Sequence, residues 1–277
     1  GTWNNDNDNR WGEENEDDLL SEVEIGRAAV DSHDEVMVFT NKTMMYSMSP
    51  VVSEVETGLM LGEDLGWPIW AWEYKEEVRT GNSSWGFQTA PFPSNIEVDT
   101  LYERPGYSWG GVSDLCPRLN QGPLYINHLG HANTNYMMQL YDNNVNTTNM
   151  TNNGVNHNFY FIYSQGCYCG AFDNRRTSAG SYQPQDCITE YFLTIPTGAV
   201  AMVTNSRYGW GNNTSTQGGS QYYDKQFYDA IWGEDITLAG AVNRDSHEDC
   251  NSYINQGTNR WCYYQTNLFG DPTLDFW

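Results

Sequence analysis

Short runs of apolar residues alternate with amphipathic stretches along most of the chain. The apolar runs predict strands over residues 22–30, 58–62, 124–129, 159–163 and 199–204. Several of these runs are continuous, as is typical of parallel strands that are buried on both faces. The stretches around them predict helices over residues 34–46, 72–80, 113–119, 188–193, 221–232 and 238–249. This alternation favours an α/β fold with an open, mostly parallel sheet and helices on both faces.

The length and the net charge of the chain indicate which kinds of binding partner to expect. The 277 residues suffice for one large domain. The 36 acidic and 13 basic residues give a formal net charge of -23, which repels phosphate backbones and anionic headgroups. No apolar run approaches the roughly 20 residues that a membrane-spanning helix needs. We therefore expect neither a nucleic-acid partner nor a membrane span.

Two strand ends carry the residue types of a cysteine hydrolase, which needs a thiolate, a base and backbone donors for an oxyanion. The strand over residues 124–129 leads into Gly130 and His131, and the strand over residues 159–163 leads toward Cys167. If these strands are parallel neighbours, both side chains emerge at the carboxyl edge of the sheet, where open α/β folds bind ligands. His128 is a rival base and Cys169 a rival nucleophile.

Four ordered motifs carry a resemblance to a known family. A Gly-His strand end at residues 130–131 is followed by Cys-x-x-Gly-x-Phe at residues 167–172. Residues 198–210 and 267–274 supply two further matching runs, and residues 12–13 and 23–27 extend the match upstream. The chain resembles the caspase-like peptidases, and the gingipain family in particular, over nearly its whole length.

The resemblance implies a secreted cysteine endopeptidase that acts on proteins or peptides outside the cell or at its surface. Cys167 would be the nucleophile, His131 its acid and base, and the amides of Gly130 and Cys167 would hold the oxyanion. No catalytic cofactor is expected. Residues 1–277 would form one caspase-like catalytic domain, a piece of a larger protein that has further domains.

The same resemblance also implies roles for two glutamates and one tryptophan. Glu63 would orient His131, and Glu73 would bind an Arg or Lys side chain of the substrate beside Trp210. Carboxylates pair well with guanidinium and ammonium groups when water is excluded. Solvated carboxylates and ordinary loop packing are the competing interpretations, and Glu76 and Glu77 are substitutes for Glu73.

The acidic opening segment, residues 4–13, offers alternating oxygen ligands. Asp6, Asp8 and Glu13 suit a hard cation, so we expect a structural Ca²⁺ there, with a plain acidic turn as the alternative.

Two further alternatives follow from the sequence. A peptidase-like domain without activity could serve as a calcium-binding structural or adhesive surface module. The six cysteines allow one or two disulfides, with Cys250 and Cys262 as the favoured pair. Cys167 itself could instead be a buried thiol or bridge to Cys169 or Cys187.

Overall fold

Six strands in the described part of the chain form one open sheet at the centre of the fold. The computed structural model describes residues 3–14, 16–178 and 180–277. The strands of the sheet are β1 (Thr57–Gly62), β2 (Glu97–Tyr102), β3 (Tyr125–Leu129), β6 (Tyr160–Ser164), β7 (Ala199–Asn205) and β8 (Thr266–Phe269). Their order across the sheet is β2-β1-β3-β6-β7-β8, parallel except for β8, which runs antiparallel to β7. The predicted mostly parallel sheet is confirmed.

The described residues also form α-helices and a small two-stranded ribbon. The α-helices are α1 (His33–Met48), α2 (Ala71–Thr80), α3 (Cys116–Leu119), α4 (Ile188–Thr194), α5 (Gly219–Trp232), α6 (Ala239–Asp249) and α7 (Asn259–Gln265). A π-helical turn, Gly111–Leu115, leads into α3. The ribbon is formed by β4 (Tyr136–Met137) and β5 (Leu140–Tyr141), which pair with each other and lie outside the main sheet.

Alternate side chains of the buried strands enter two hydrophobic cores, one on each face of the sheet. Leu59 and Leu61 of β1 pack in the core that contains the α3 and α4 side chains. Met60, between them, packs in the core that contains α2, α5 and α6 side chains. Burial on both faces explains why these strands read as continuous apolar runs.

The expected strand over residues 22–30 is wrong. Within this segment Arg27 forms an isolated bridge with Phe269 of β8, and residues 22–30 contain no named strand. Val23 and Ile25 are largely exposed, so their alternation with polar residues reflects no buried face. Gly26 is held against the backbone of the closing segment instead, because a Cβ there would lie 2.3 Å from the Gly270 carbonyl oxygen.

The favoured disulfide is also wrong. All six cysteines lie among the described residues and all are free thiols. Cys250 and Cys262 share a small apolar cluster with Phe87 and Tyr223, where they pack as small hydrophobic side chains. No described helix is long and apolar enough to span a bilayer.

Candidate active site

Parallel pairing of β3 and β6 brings the two chemically equipped strand ends together. The register pairs His128 with Ser164, and His131 and Cys167 each lie three residues beyond this pair. The turns that follow touch each other, since a Cβ on Gly166 would lie 2.6 Å from the Cβ of Ala132. The neighbours of the proposed nucleophile and base are therefore in contact at the carboxyl edge of the sheet.

Cys167 is a partly buried thiol at the end of β6. Its Sγ donates to the carbonyl oxygen of Gly209 at 3.7 Å. Burial raises the pKa of Cys167 above its ordinary value, and the contact with Gly209 opposes this only in part. The isolated thiol therefore keeps its proton near neutral pH, and formation of the nucleophilic thiolate requires a base.

His131, at the end of the neighbouring strand β3, has an imidazole without a hydrogen bond to the described residues. The side chain is exposed, and its ring has no hydrogen-bond partner among the described residues. Its backbone N–H, in contrast, donates to Oε2 of Glu63 at 3.2 Å. The strand end is thus held through its main chain, while the ring itself is not held by a hydrogen bond to the described residues.

His128, the rival base, is fully committed to the fold. The side chain is completely buried, with Nε2 2.9 Å from Oε1 of Glu63 and Nδ1 2.8 Å from Oγ of Ser164. Because a carboxylate has no proton to give, His128 donates through Nε2, and in the neutral ring Nδ1 accepts from the Ser164 hydroxyl. Both ring nitrogens of His128 are therefore engaged inside the fold.

Glu63 connects both strand ends, which the sequence did not show. One oxygen binds the His131 amide directly. The other is linked to the turn that carries Cys167 through His128 and Ser164, whose Oγ accepts from the Gly166 N–H at 3.1 Å. The expected contact of Glu63 with His131 is made to its backbone N–H, and the described residues show no hydrogen bond between Glu63 and the imidazole. A Cβ at Gly130 would lie 2.2 Å from Cδ of Glu63, so this carboxylate requires glycine there.

Cys169, the rival nucleophile, has no access to substrate. It is fully buried, its Sγ donates to the Gly166 carbonyl oxygen at 3.4 Å, and burial raises its pKa to about 12. The thiol that the turn leaves accessible is Cys167. The following residue, Tyr168, has a φ of 58°, so the chain turns sharply directly after Cys167.

Two backbone amides next to these side chains remain available for an oxyanion. The N–H groups of Gly130 and Cys167 meet no acceptor within residues 3–14, 16–178 and 180–277. Free N–H groups at a strand end are what a tetrahedral intermediate requires.

An aromatic cleft lies beside Cys167. It has a volume of about 590 Å³ and is lined by Trp67 and by residues 208–213. Gly209, whose carbonyl contacts Cys167, belongs to its wall, as does the half-exposed Trp210. Gly211 lies so close to Trp67 that a Cβ there would meet the indole at 2.7 Å.

Glu73 lies on the helix that supports this cleft. Its Oε1 accepts from the Trp70 N–H at 3.0 Å and so caps α2. The helix binds the cleft segment through Tyr74, whose hydroxyl donates to Asn212 O at 2.7 Å. Among the described residues, Glu73 does not line the cleft. Of its two substitutes, Glu77 accepts from Thr216 at 2.6 Å.

The second substitute, Glu76, is held elsewhere. It forms an ion pair with Arg79 and accepts from the Tyr102 hydroxyl. This carboxylate is therefore engaged on the β2 side of α2.

A buried polar network under the β6 strand end was not expected from the sequence. Lys75 of α2 and Asp224 of α5 form a fully buried ion pair. Gln165, two residues before Cys167, donates to Asp224 and to Gln221, both at 2.6 Å. A lone lysine between apolar helix positions is the available sequence signal, but its partner lies 149 residues away.

The acidic opening segment gathers the three expected carboxylates. Asp6, Asp8 and Glu13 each offer an oxygen within 4.8 Å of the others. Asp6 also accepts from the Asp8 amide, and Arg10 pairs with Glu13 at 3.3 Å. The all-oxygen donor set fits a hard cation, while Arg10 already neutralises part of its charge.

Comparisons with known proteins agree with the fold described above. The family model described as Peptidase family C25 matches residues 2–277. The solved structure of the Arg-specific cysteine proteinase gingipain R superposes with a TM-score of 0.71 at 16% identity, covering 94% of this chain and 56% of that chain.

Two further solved structures have the same fold. The complex of Porphyromonas gingivalis RgpB pro- and mature domains gives a TM-score of 0.70 at 16% identity, with 93% and 57% coverage. A structure described only as a protease gives 0.64 at 16% identity, with 90% and 54% coverage. No curated protein sequence matches. The chain thus spans a little over half the length of these relatives.

Proposed function

The chain belongs to peptidase family C25, and from this premise we propose that it is a cysteine endopeptidase with a Cys167–His131 dyad. The observation that carries the proposal is the register of β3 and β6, which places both residues three positions beyond one strand pair. In addition, Cys167 is the accessible thiol of its turn and His131 has an uncommitted ring. Neither property holds for Cys169 or His128.

The proposed reaction proceeds through an acyl-enzyme. His131 takes the proton of the Cys167 thiol, and the sulfur attacks the peptide carbonyl carbon. The amides of Gly130 and Cys167 receive the negative charge that develops on the carbonyl oxygen. His131 then gives its proton to the leaving amine, and water hydrolyses the thioester. Glu63 acts as a positioning residue for both strand ends.

The cleft at Trp210 would accept the side chain that precedes the scissile bond. Two alternative preferences for this substrate side chain have support. The family resemblance and the proximity of Glu73 to this region favour Arg or Lys, whose aliphatic stems also stack on indole rings. The described walls, Trp67 and residues 208–213, carry no carboxylate and favour a large uncharged side chain.

Cleavage of a mixed peptide library, read by mass spectrometry, tests activity and preference together. We expect cleavage by the wild-type chain and none by Cys167→Ala. If Glu73 sets the preference, Glu73→Gln should depress cleavage after Arg and Lys while leaving neutral sites unaffected. If the aromatic walls set it, Trp210→Ala should depress cleavage after large uncharged residues. No cleavage by the wild-type chain would favour the inactive surface-module alternative.

The proposal also covers the domain organisation of the protein, its location and a structural cation. We propose that residues 1–277 are one catalytic domain of a larger secreted or surface protein, with proteins or peptides as substrates. We also propose a structural Ca²⁺ at Asp6, Asp8 and Glu13, whose oxygens lie within 4.8 Å of one another. Chelation would then lower the melting temperature of the wild-type chain, and Asp6→Asn/Asp8→Asn would reduce this effect.

A further inference from the structure

A second pocket adjoins the aromatic cleft and shares Tyr208 and Trp210 with it. It has a volume of about 300 Å³ and includes Tyr168, the residue that follows Cys167. The other residues that line it, and for which we call it the arginine pocket, are Arg175, Arg207, Trp261 and Gln265. A peptide bound with one side chain in the cleft would therefore bring neighbouring residues close to the arginine pocket.

The charge of the arginine pocket is opposite to that of the chain as a whole. The chain has 36 acidic and 13 basic residues, yet two arginines and no described carboxylate line this pocket. Arg207 is compensated, because its guanidinium donates to both carboxylate oxygens of Asp173, at 3.1 and 2.7 Å. Arg175 forms no ion pair within residues 3–14, 16–178 and 180–277, and its Nε is buried without an acceptor. The pocket thus keeps one positive charge that no described side chain pairs.

Main-chain contacts attach Arg175 to the turn that follows His131. Its carbonyl oxygen accepts from Oγ1 of Thr134 at 3.4 Å, and Thr134 is a buried residue three positions beyond His131. On the other side, the backbone of Arg175 forms an isolated antiparallel bridge with Tyr182. The position of this arginine is therefore set by the same turn that carries the proposed base.

The wall of the arginine pocket is mainly aromatic. Tyr168 packs edge to face against Tyr208, with ring centroids 4.9 Å apart, and Tyr208 packs against Trp210 at 6.1 Å. Burial raises the pKa of Tyr168, and the charges of Arg207 and Arg175 oppose this rise, so both arginines act on its hydroxyl. Aromatic walls exclude water, which strengthens the attraction between a guanidinium and a carboxylate.

We propose that Arg175 anchors a substrate subsite that binds a carboxylate, supplied by an Asp or Glu side chain near the scissile bond. The inference rests on the proposed peptidase function and adds a residue that determines its specificity. A guanidinium donates two parallel hydrogen bonds to one carboxylate, and this planar match fixes position as well as providing attraction. Arg175 has its donors available, since no described residue accepts from its side chain.

Paired peptide pools test the subsite. Each pool has an acetylated amino end and an amidated carboxyl end, and one position is fixed as Glu or as Gln while the others are mixed. Mass spectrometry of the products places the fixed position relative to the scissile bond. We expect the wild-type chain to prefer Glu over Gln at one position by about tenfold in kcat/KM. Because this ratio compares two substrates in one variant, it does not depend on the fraction of folded enzyme.

Substitutions at Arg175 should change this ratio in a defined way. Arg175→Gln should reduce it to about twofold or less, and Arg175→Glu should favour Lys over Glu at the same position. Arg176→Gln is the matched control, because Arg176 is exposed, does not line the pocket and changes the net charge equally; it should keep the full ratio. The proposal is overturned if no position prefers Glu, if Arg175→Gln keeps the preference, or if only peptides with a free carboxyl terminus show it.

A binding measurement separates this inference from the peptidase proposal. Fluorescence anisotropy with labelled pools gives the affinity of Cys167→Ala, which lacks the proposed nucleophile. Glu pools should bind about tenfold more tightly than Gln pools, and adding Arg175→Gln should remove the difference. If this difference is found but the wild-type chain cleaves no pool, the subsite stands and the peptidase proposal fails. If the wild-type chain cleaves peptides and the difference is missing, the subsite fails alone; with neither cleavage nor a difference, both fail.

Discussion

Replacing Glu63 by Gln tests whether one buried carboxylate positions both halves of the proposed dyad. The side chain is 4% exposed and accepts from His128 and from the His131 amide. Gln keeps one acceptor oxygen and replaces the other with a donor. His128 can switch tautomer to accept from that donor, so the substitution removes one charge-assisted bond rather than the whole arrangement.

The magnitude follows from the contacts. Loss of one hydrogen bond to a charged group costs about 1.5 to 3 kcal/mol, which corresponds to about 10- to 150-fold in kcat/KM if the transition state depends on it. Glu63→Ala leaves two buried donors unsatisfied, on His128 and on the His131 amide, and should cost about 2 to 6 kcal/mol. The assay pairs kcat/KM on a fluorogenic peptide with the free energy of unfolding in urea.

Glu103 provides a matched control one strand away. It follows β2 as Glu63 follows β1, is 8% exposed, and accepts from the Asp64 amide and from Gln139. Glu103→Gln should therefore lower stability similarly while keeping kcat/KM within about twofold of wild type. Equal losses of kcat/KM in the two variants, or full activity in Glu63→Gln, would refute the positioning role of Glu63.

Three further predictions concern residues around the site. Lys75→Met should lower the free energy of unfolding in urea by about 3 to 5 kcal/mol because it leaves Asp224 buried without its partner. Lys75→Met/Asp224→Asn should recover part of this loss, because Asn removes the unpaired charge and keeps an acceptor oxygen for Gln165; an equal loss in both variants would contradict the explanation. Alkylation of Cys167 by iodoacetamide without substrate should keep rising to at least about pH 8.5, because burial raises its pKa. A plateau below neutral pH would show a preformed thiolate. Gly130→Ala should lower kcat/KM and cost about 1 to 3 kcal/mol, because its Cβ would displace Glu63. Full activity of that variant would contradict this.

The sequence predicts the strands that are buried on both faces and misses those that are not. β1, β3, β6 and β7 have nearly every residue buried, which gives continuous apolar runs. The edge strand β2 exposes most of its residues, so it carries no apolar run. β8 is only four residues long, and the segment over residues 22–30 alternates without being buried.

Some residues of the candidate site could likewise be predicted from the sequence, and others could not. Cys167, His131 and Gly130 could be proposed from sequence because a strand end fixes position locally, and parallel neighbours share an edge. The sequence alone could not assign a role to His128, since an isolated histidine could serve as a base or as a structural residue. The assignment needs the pairing of His128 with Ser164 and the burial of Glu63, which only the structure gives. The ion pair of Lys75 depends on how two helices pack across the sheet.

The identity of the nucleophile and its dependence on His131 can be measured directly with a peptidyl chloromethyl ketone, which alkylates an activated thiol held at a substrate site. Labelled wild-type chain is digested and the modified residue is located by mass spectrometry. We expect one label on Cys167, unchanged labelling of Cys169→Ala, none of Cys167→Ala, and strongly slowed labelling of His131→Ala. Labelling of Cys169 in the wild-type chain, or an unchanged rate in His131→Ala, would contradict the proposed dyad.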